Sequence, residues 1–287
     1  MGSGWQHSVT RRALVAFAVI VCLLLFGPWR LLADLLDPML VSIGVRLVLL
    51  AVTLAAMAGL GAGRVVVPAR RGFRQAMHWA GYLAVVSVAI SVFDLAGMLT
   101  GAAGGAWASQ YGWLESVLLS LLLCLVVGAL EEFLFRGLLL GGLMARWGGT
   151  RRGIVGSVLV SALVFGLLHV AVDILAGPYT VATVLQMLLK TVQTAIFGVL
   201  AAAAFVRARN LWGVAVAHAA ADFLPVALQT LSGIPQEAGY VTADDSQLPV
   251  ILLAYGVILV LYVPAMARSA RLLRGATAPD YGPFSPR

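Results

Sequence analysis

The chain has 287 residues, of which 61% are hydrophobic and only 11% charged, with a mean hydropathy of +0.98. Soluble domains average about 25% charged residues, so the composition excludes water as the main solvent. The formal charge of +7 is spread between apolar runs and forms no soluble basic domain, which excludes a nucleic-acid binder. Cys22 and Cys124 both lie inside apolar runs, outside any CxxC or Cys/His spacing, so no disulfide framework or cysteine metal site is expected.

A membrane-spanning helix needs about 20 apolar residues. Eight runs qualify, at 13–33, 39–62, 79–100, 114–145, 153–172, 180–206, 211–231 and 249–267. Arg11 and Arg12 before the first run resemble the start of a cleavable signal, but no small-x-small site follows, so a retained span is expected. The fourth run is too long for one straight crossing. It should be tilted or broken, with Gly137 or Gly141–Gly142 as the place for a bend or close helix contact. The connection at 232–248 contains Gly233, Pro235 and Gly239 and reads as irregular. The expected architecture is therefore an all-α, polytopic membrane bundle of about eight transmembrane helices. It forms one transmembrane domain over 1–274, and 275–287 is an unstructured cytoplasmic tail.

Orientation follows from the basic residues. With a cytoplasmic N-terminus, the inside segments hold Arg11 and Arg12, the four arginines of 64–74, Arg146, Arg151, Arg152, Arg207, Arg209, Arg268, Arg271, Arg274 and Arg287. The outside segments hold Arg30 alone, beside Asp34, Asp37, Asp173, Glu237, Asp244 and Asp245. Arginine is retained on the cytoplasmic side of a bilayer, so both termini are expected in the cytoplasm, with the protein a multi-pass component of the cell membrane.

Apolar runs explain anchoring only. Asp and Arg at a span centre cost about 2.5–3.5 kcal/mol each, so Glu131, Glu132, Arg136 and Asp222 together cost roughly 10 kcal/mol before pairing. Glu132 and Arg136 are one helical turn apart and can pair, which leaves Glu131 about 100° around the helix and free of that pair. Alone, this run could equally be a buried salt bridge with one interfacial glutamate. His169, four residues after Phe165, could be a hydrogen-bonded packing residue or a proton-sharing group. His218 and Asp222 again share a face at i, i+4 and could satisfy each other. Lipid offers no partner to any of these groups, so the three runs are expected to converge on one polar site. Lys190, inside the sixth run, could neutralise a carboxylate there.

At these residues the sequence resembles the CPBP family of intramembrane proteases, the CaaX proteases and bacteriocin-processing enzymes also called Abi. The family's EExxxR, FxxxH and HxxxN/D motifs match Glu131-Glu132…Arg136, Phe165…His169 and His218…Asp222, in order, within a core of about 110–231. The resemblance implies an intramembrane glutamic endopeptidase that needs no metal or other cofactor, acting on peptides or membrane proteins in the lipid bilayer. It implies that Glu131 activates water with help from His169, that His218 and Asp222 stabilise the oxyanion, and that Glu132, Arg136 and Phe165 organise the site. Asp222 departs from the Asn of many members, and an ionised Asp cannot donate to an oxyanion. It must be protonated there, or orient His218 instead. Zinc held by Glu131, His169 and His218 is an alternative chemistry, although no HExxH occurs. Two other functions compete with hydrolysis: a non-proteolytic immunity or scaffold protein of the same fold, and a proton-coupled transporter. The absence of internal repeats argues against transport. The Ala/Arg/Gly-rich composition looks bacterial, where prenylated substrates are scarce, so membrane-anchored or secreted peptides are expected instead.

Overall fold

A computed structural model describes residues 2–33, 35–99, 109–177, 179–233 and 245–277. Its α-helices in chain order are α1 (Gly2–Phe26), α2 (Trp29–Ala33), α3 (Pro38–Gly59), α4 (Gly63–Val66), α5 (Phe73–Ala80), α6 (Tyr82–Leu99) and α7 (Trp113–Glu132). They continue as α8 (Gly141–Trp147), α9 (Arg151–Leu168), α10 (Ala171–Ala176), α11 (Val181–Ala208), α12 (Leu211–Leu231) and α13 (Leu248–Arg274). No strand occurs among the described residues. Eight segments are long and apolar enough to cross a membrane, and the chain is a multi-pass membrane protein. Exposed leucines and valines cover the outward faces, Leu253, Val260 and Leu118 among them, as a lipid-facing surface requires.

Several boundaries differ from the sequence expectation, and the last span runs on to Arg274 rather than ending at 267. The first span ends at Phe26 rather than 33, because Gly27-Pro28 stops the helix and Trp29–Ala33 starts a separate short turn. The third segment starts at Phe73, six residues early, because Arg74, Gln75 and His78 stand on the exposed side of α5 while Ala76 and Ala80 are buried. The fourth neither breaks nor ends: α7 passes into a π-helical stretch, Phe133–Leu140, and then into α8. A π-helix carries an extra residue per turn, so the long helix re-aims its side chains there without losing backbone continuity. Most of the 232–248 connection and of the expected tail lies outside the described residues. Asp245 does lie within them, and its Oδ1 accepts from the Ala182 amide at 2.9 Å, at the start of α11.

Small residues set the helix spacing around the site. A Cβ on Gly128 would lie 2.7 Å from the Ala215 carbonyl oxygen and 2.9 Å from the Ala219 amide, so α7 and α12 meet backbone to backbone. Gly166 lies similarly against Thr191 and Ala195, and Gly198 against Ala162, joining α9 to α11. The start of α12 is fixed by Asn210. Its Oδ1 caps Gly213 at 2.8 Å, and its Nδ2 donates to the carbonyls of Ala69 (2.7 Å) and Arg71 (3.0 Å). Arg209 before it takes a left-handed φ of 56°, which turns the chain directly from α11 into α12.

Candidate active site

Glu131 and Glu132 are the last two residues before or at the α7–π junction, His169 caps the C-terminus of α9, and His218 and Asp222 lie on α12. The distances of these residues from their own helix ends do not agree, since His218 is only seven residues beyond Leu211. Helix offset accounts for this. Leu211 packs at the level of Gly137, where a Cβ would be 3.6 Å from its Cδ1, so α12 begins well short of the Trp147 end of α8. All three side-chain sets then meet at one depth.

Glu132 Oε1 is the hub. It lies 3.0 Å from Arg136 Nη1 and 2.7 Å from His218 Nδ1, with Glu132 and Arg136 essentially inaccessible. The Arg136 contact is ionic rather than an aligned hydrogen bond, while Nη2 donates to the Gly198 carbonyl at 3.4 Å. The guanidinium also stacks 4.5 Å from the centre of the Phe165 ring. Phe165 is itself packed edge-on by Phe135 at 4.8 Å and by His169 at 4.4 Å, and Phe197 lies 4.6 Å from His218. These rings keep lipid and water from the ion pair, which strengthens its field.

Glu131 points elsewhere. Its Oε2 faces His218 Nε2 at 3.6 Å and His169 Nε2 at 3.9 Å, and Oε2 accepts no hydrogen bond. His169 Nδ1 lies 2.8 Å from the Phe165 carbonyl. A carbonyl only accepts, so Nδ1 carries the hydrogen and Nε2 turns toward Glu131. Asp222 Oδ2 lies 3.3 Å from His218 Nε2. Lys190 on α11 is within electrostatic range of Asp222, Asp173 and Glu131.

The structure thus brings Glu131, Glu132, Arg136, Phe165, His169, His218 and Asp222 into one cluster. Sequence reasoning missed the Glu132–His218 bond, since spacing along one helix shows only the Arg136 partner. It also missed Phe197 and Gly198, whose only signal is an aromatic–glycine pair before an alanine run on α11. Among the described residues no group of three His, Cys, Asp or Glu is arranged to hold a metal ion.

Residues 113–224 match the family model described as Rce1-like, type II CAAX prenyl endopeptidase. Over these residues the chain is similar to that family. The match agrees with the family suggested by the three motifs, and the matched segment contains every residue of the cluster. It covers less than half of the chain, and α1 to α6 and α13 lie outside it. Neither a curated protein nor a solved structure matches the chain.

Proposed function

We propose that this protein is an intramembrane endopeptidase of the cell membrane that hydrolyses peptide bonds of membrane-associated or secreted peptides, with Glu131 as general base. The observation that carries the reading is the division of labour between adjacent carboxylates. Glu132 is committed to Arg136 and His218, whereas Glu131 faces two imidazole nitrogens across gaps too long for direct hydrogen bonds. Such gaps suit a bridging water.

In this mechanism Glu131 Oε2 takes a proton from water while His169 Nε2 accepts a hydrogen bond from its second hydrogen. The hydroxide adds to the substrate carbonyl carbon, and no covalent enzyme intermediate forms. His218, held through Nδ1–H by Glu132, donates from Nε2 to the developing oxyanion when it is the imidazolium. Asp222 supports the same oxygen when protonated. Glu131 then passes its proton to the amine nitrogen as the C–N bond breaks. The reaction uses no metal, so chelation should leave turnover unchanged. Loss on chelation would move Glu131, His169 and His218 to a zinc role.

The test is peptide turnover by purified wild type and Glu131→Gln, using substrates found by comparing peptides released by host cells expressing wild type or Glu131→Ala. Removing a general base lowers the rate by at least about 10²-fold. Equal turnover in Glu131→Gln and wild type would end the enzyme reading and leave a binding protein. Both termini are cytoplasmic in this proposal, on the strength of the arginine distribution. Reporters fused after Gly105 and Asp245 should read outside, and a cytoplasmic signal at either would overturn the orientation.

A further inference from the structure

Away from the cluster, a groove of 620 Å³ runs between α1 and α8, lined by Ser8, Thr10, Arg11, Leu14, Val15, Ala18 and Arg146. We infer that this groove binds an anionic phospholipid, its phosphate held by Arg11 and Arg146 and an acyl chain laid along Leu14, Val15 and Ala18. The pattern on α1 carries the argument. Arg11, Leu14, Val15 and Ala18 stand at i, i+3, i+4 and i+7, so they form one face of the helix. That face presents a cation first and then an apolar track running into the span, which is the polarity of a lipid from headgroup to tail. Hydropathy places the start of the crossing at Ser8, so Arg11 stands near the level of the headgroups.

The second wall is fixed in place. Thr10 donates its hydroxyl to the Gly142 carbonyl at 2.9 Å, and a Cβ on Gly142 would come 2.9 Å from that of Ala13. Arg146 is one turn beyond Gly142 on the same face of α8, so the contact that joins the two helices also brings the second guanidinium to the groove. Among the described residues no acidic side chain lines it, and Arg11 and Val15 are exposed. Arginine suits phosphate because its planar fork donates two hydrogen bonds at once. A zwitterionic lipid would bring a positively charged ammonium next to the same two cations. The occupant is therefore an anionic lipid such as phosphatidylglycerol.

Native mass spectrometry of the detergent-purified full chain tests this, titrated with phosphatidylglycerol, phosphatidylcholine or soluble glycerol phosphate. Phosphatidylglycerol should be retained in preference to phosphatidylcholine, and glycerol phosphate should not be retained. Arg11→Gln with Arg146→Gln should weaken phosphatidylglycerol binding by about 30-fold. Ala18→Trp, which fills the apolar track and keeps both arginines, should also weaken it. Arg151→Gln with Arg152→Gln, exposed arginines outside the groove, should leave binding unchanged. The proposal is overturned if the 11/146 variant binds like wild type, if the 151/152 variant loses as much, or if glycerol phosphate binds as well as the lipid. Binding is read without any peptidase assay, so this result and that of Glu131→Gln are independent.

Discussion

Glu132 sits among Arg136 and His218 with side chains 0%, 1% and 4% exposed and contacts of 3.0 and 2.7 Å. Glu131, its neighbour in sequence, is 22% exposed and faces His169, 17% exposed, across 3.9 Å, with Asp222 at 32% beside the same Nε2 of His218 that faces Glu131. One half of the cluster is closed and tight, and the other is open and loosely spaced. The comparison teaches that two adjacent carboxylates on one helix can be given different tasks by their depth in the packing. A buried ion needs an opposite charge beside it, which Arg136 gives Glu132, whereas Glu131 keeps part of its side chain exposed and its Oε2 without a hydrogen bond. His218 belongs to both halves, its Nδ1 on the closed side and its Nε2 on the open side.

The closed half breaks with the largest effect. Glu132→Gln removes the charge that compensates Arg136 and weakens the anchor of His218. It should cost about 3–5 kcal/mol of stability, read as loss of protein yield and a lower thermal midpoint in detergent. Glu131→Gln should leave the thermal midpoint near wild type while turnover falls as stated above. If the two variants lose equal stability, the distinction between a frame and a reacting half is wrong.

Asp222→Asn sharpens the boundary between the halves. Glu132 already orients His218 through Nδ1, so the 222 side chain is not needed for that purpose. The amide can donate to an oxyanion, and turnover should stay within about tenfold of wild type, since a single neutral hydrogen bond contributes about 1 kcal/mol. A larger loss at unchanged yield would mean that an ionised Asp222 is required.

The smallest effect lies far from the cluster, where polar groups are organised by water-accessible contacts instead. Asp37 caps α3 at the Leu40 amide (3.0 Å) and accepts from the Tyr111 hydroxyl at 2.8 and 2.7 Å and from Gln110 Nε2 at 3.1 Å. Burial tends to raise the Asp37 carboxyl, but the Tyr111 hydroxyl and the backbone donors outweigh it and hold it below its ordinary value. A carboxylate depressed in the folded state stabilises above its unfolded value, and that stability is lost as pH falls through the folded value. Tyr111→Phe should therefore lower the thermal midpoint slightly at pH 7, and the difference from wild type should vanish at acid pH. A difference that persists once Asp37 is protonated would show that packing of the Tyr111 ring, and not the ionic contact, holds this corner.

Much of the fold was legible because lipid makes the relation between sequence and structure simple. Every span must satisfy its own backbone hydrogen bonds and show apolar side chains outward, so all eight runs appear as helical spans, and those at 180–206 and 211–231 lie within two residues of their expected ends. The candidate cluster was legible for a related reason: residues as costly as Glu132, Arg136 and Asp222 need one another in an apolar medium. Spacing alone also gave the Glu132–Arg136 pair.

Other features depended on contacts between residues far apart in the chain, and no local pattern encodes these. The Glu132–His218 bond joins positions 86 residues apart. The π-helical stretch at Phe133–Leu140 leaves no signature in a run of apolar residues, since its extra residue per turn is selected by what packs around it. The level at which α12 starts against Gly137, which puts His218 beside Glu131, follows from close approaches at Gly128 and Asn210. Sequence by itself therefore determined the class, the spans and the chemical inventory, because insertion into lipid acts on each segment separately. Only the tertiary structure decided which carboxylate is fully buried and which stays partly exposed, because burial is a property of the neighbours that packing brings together.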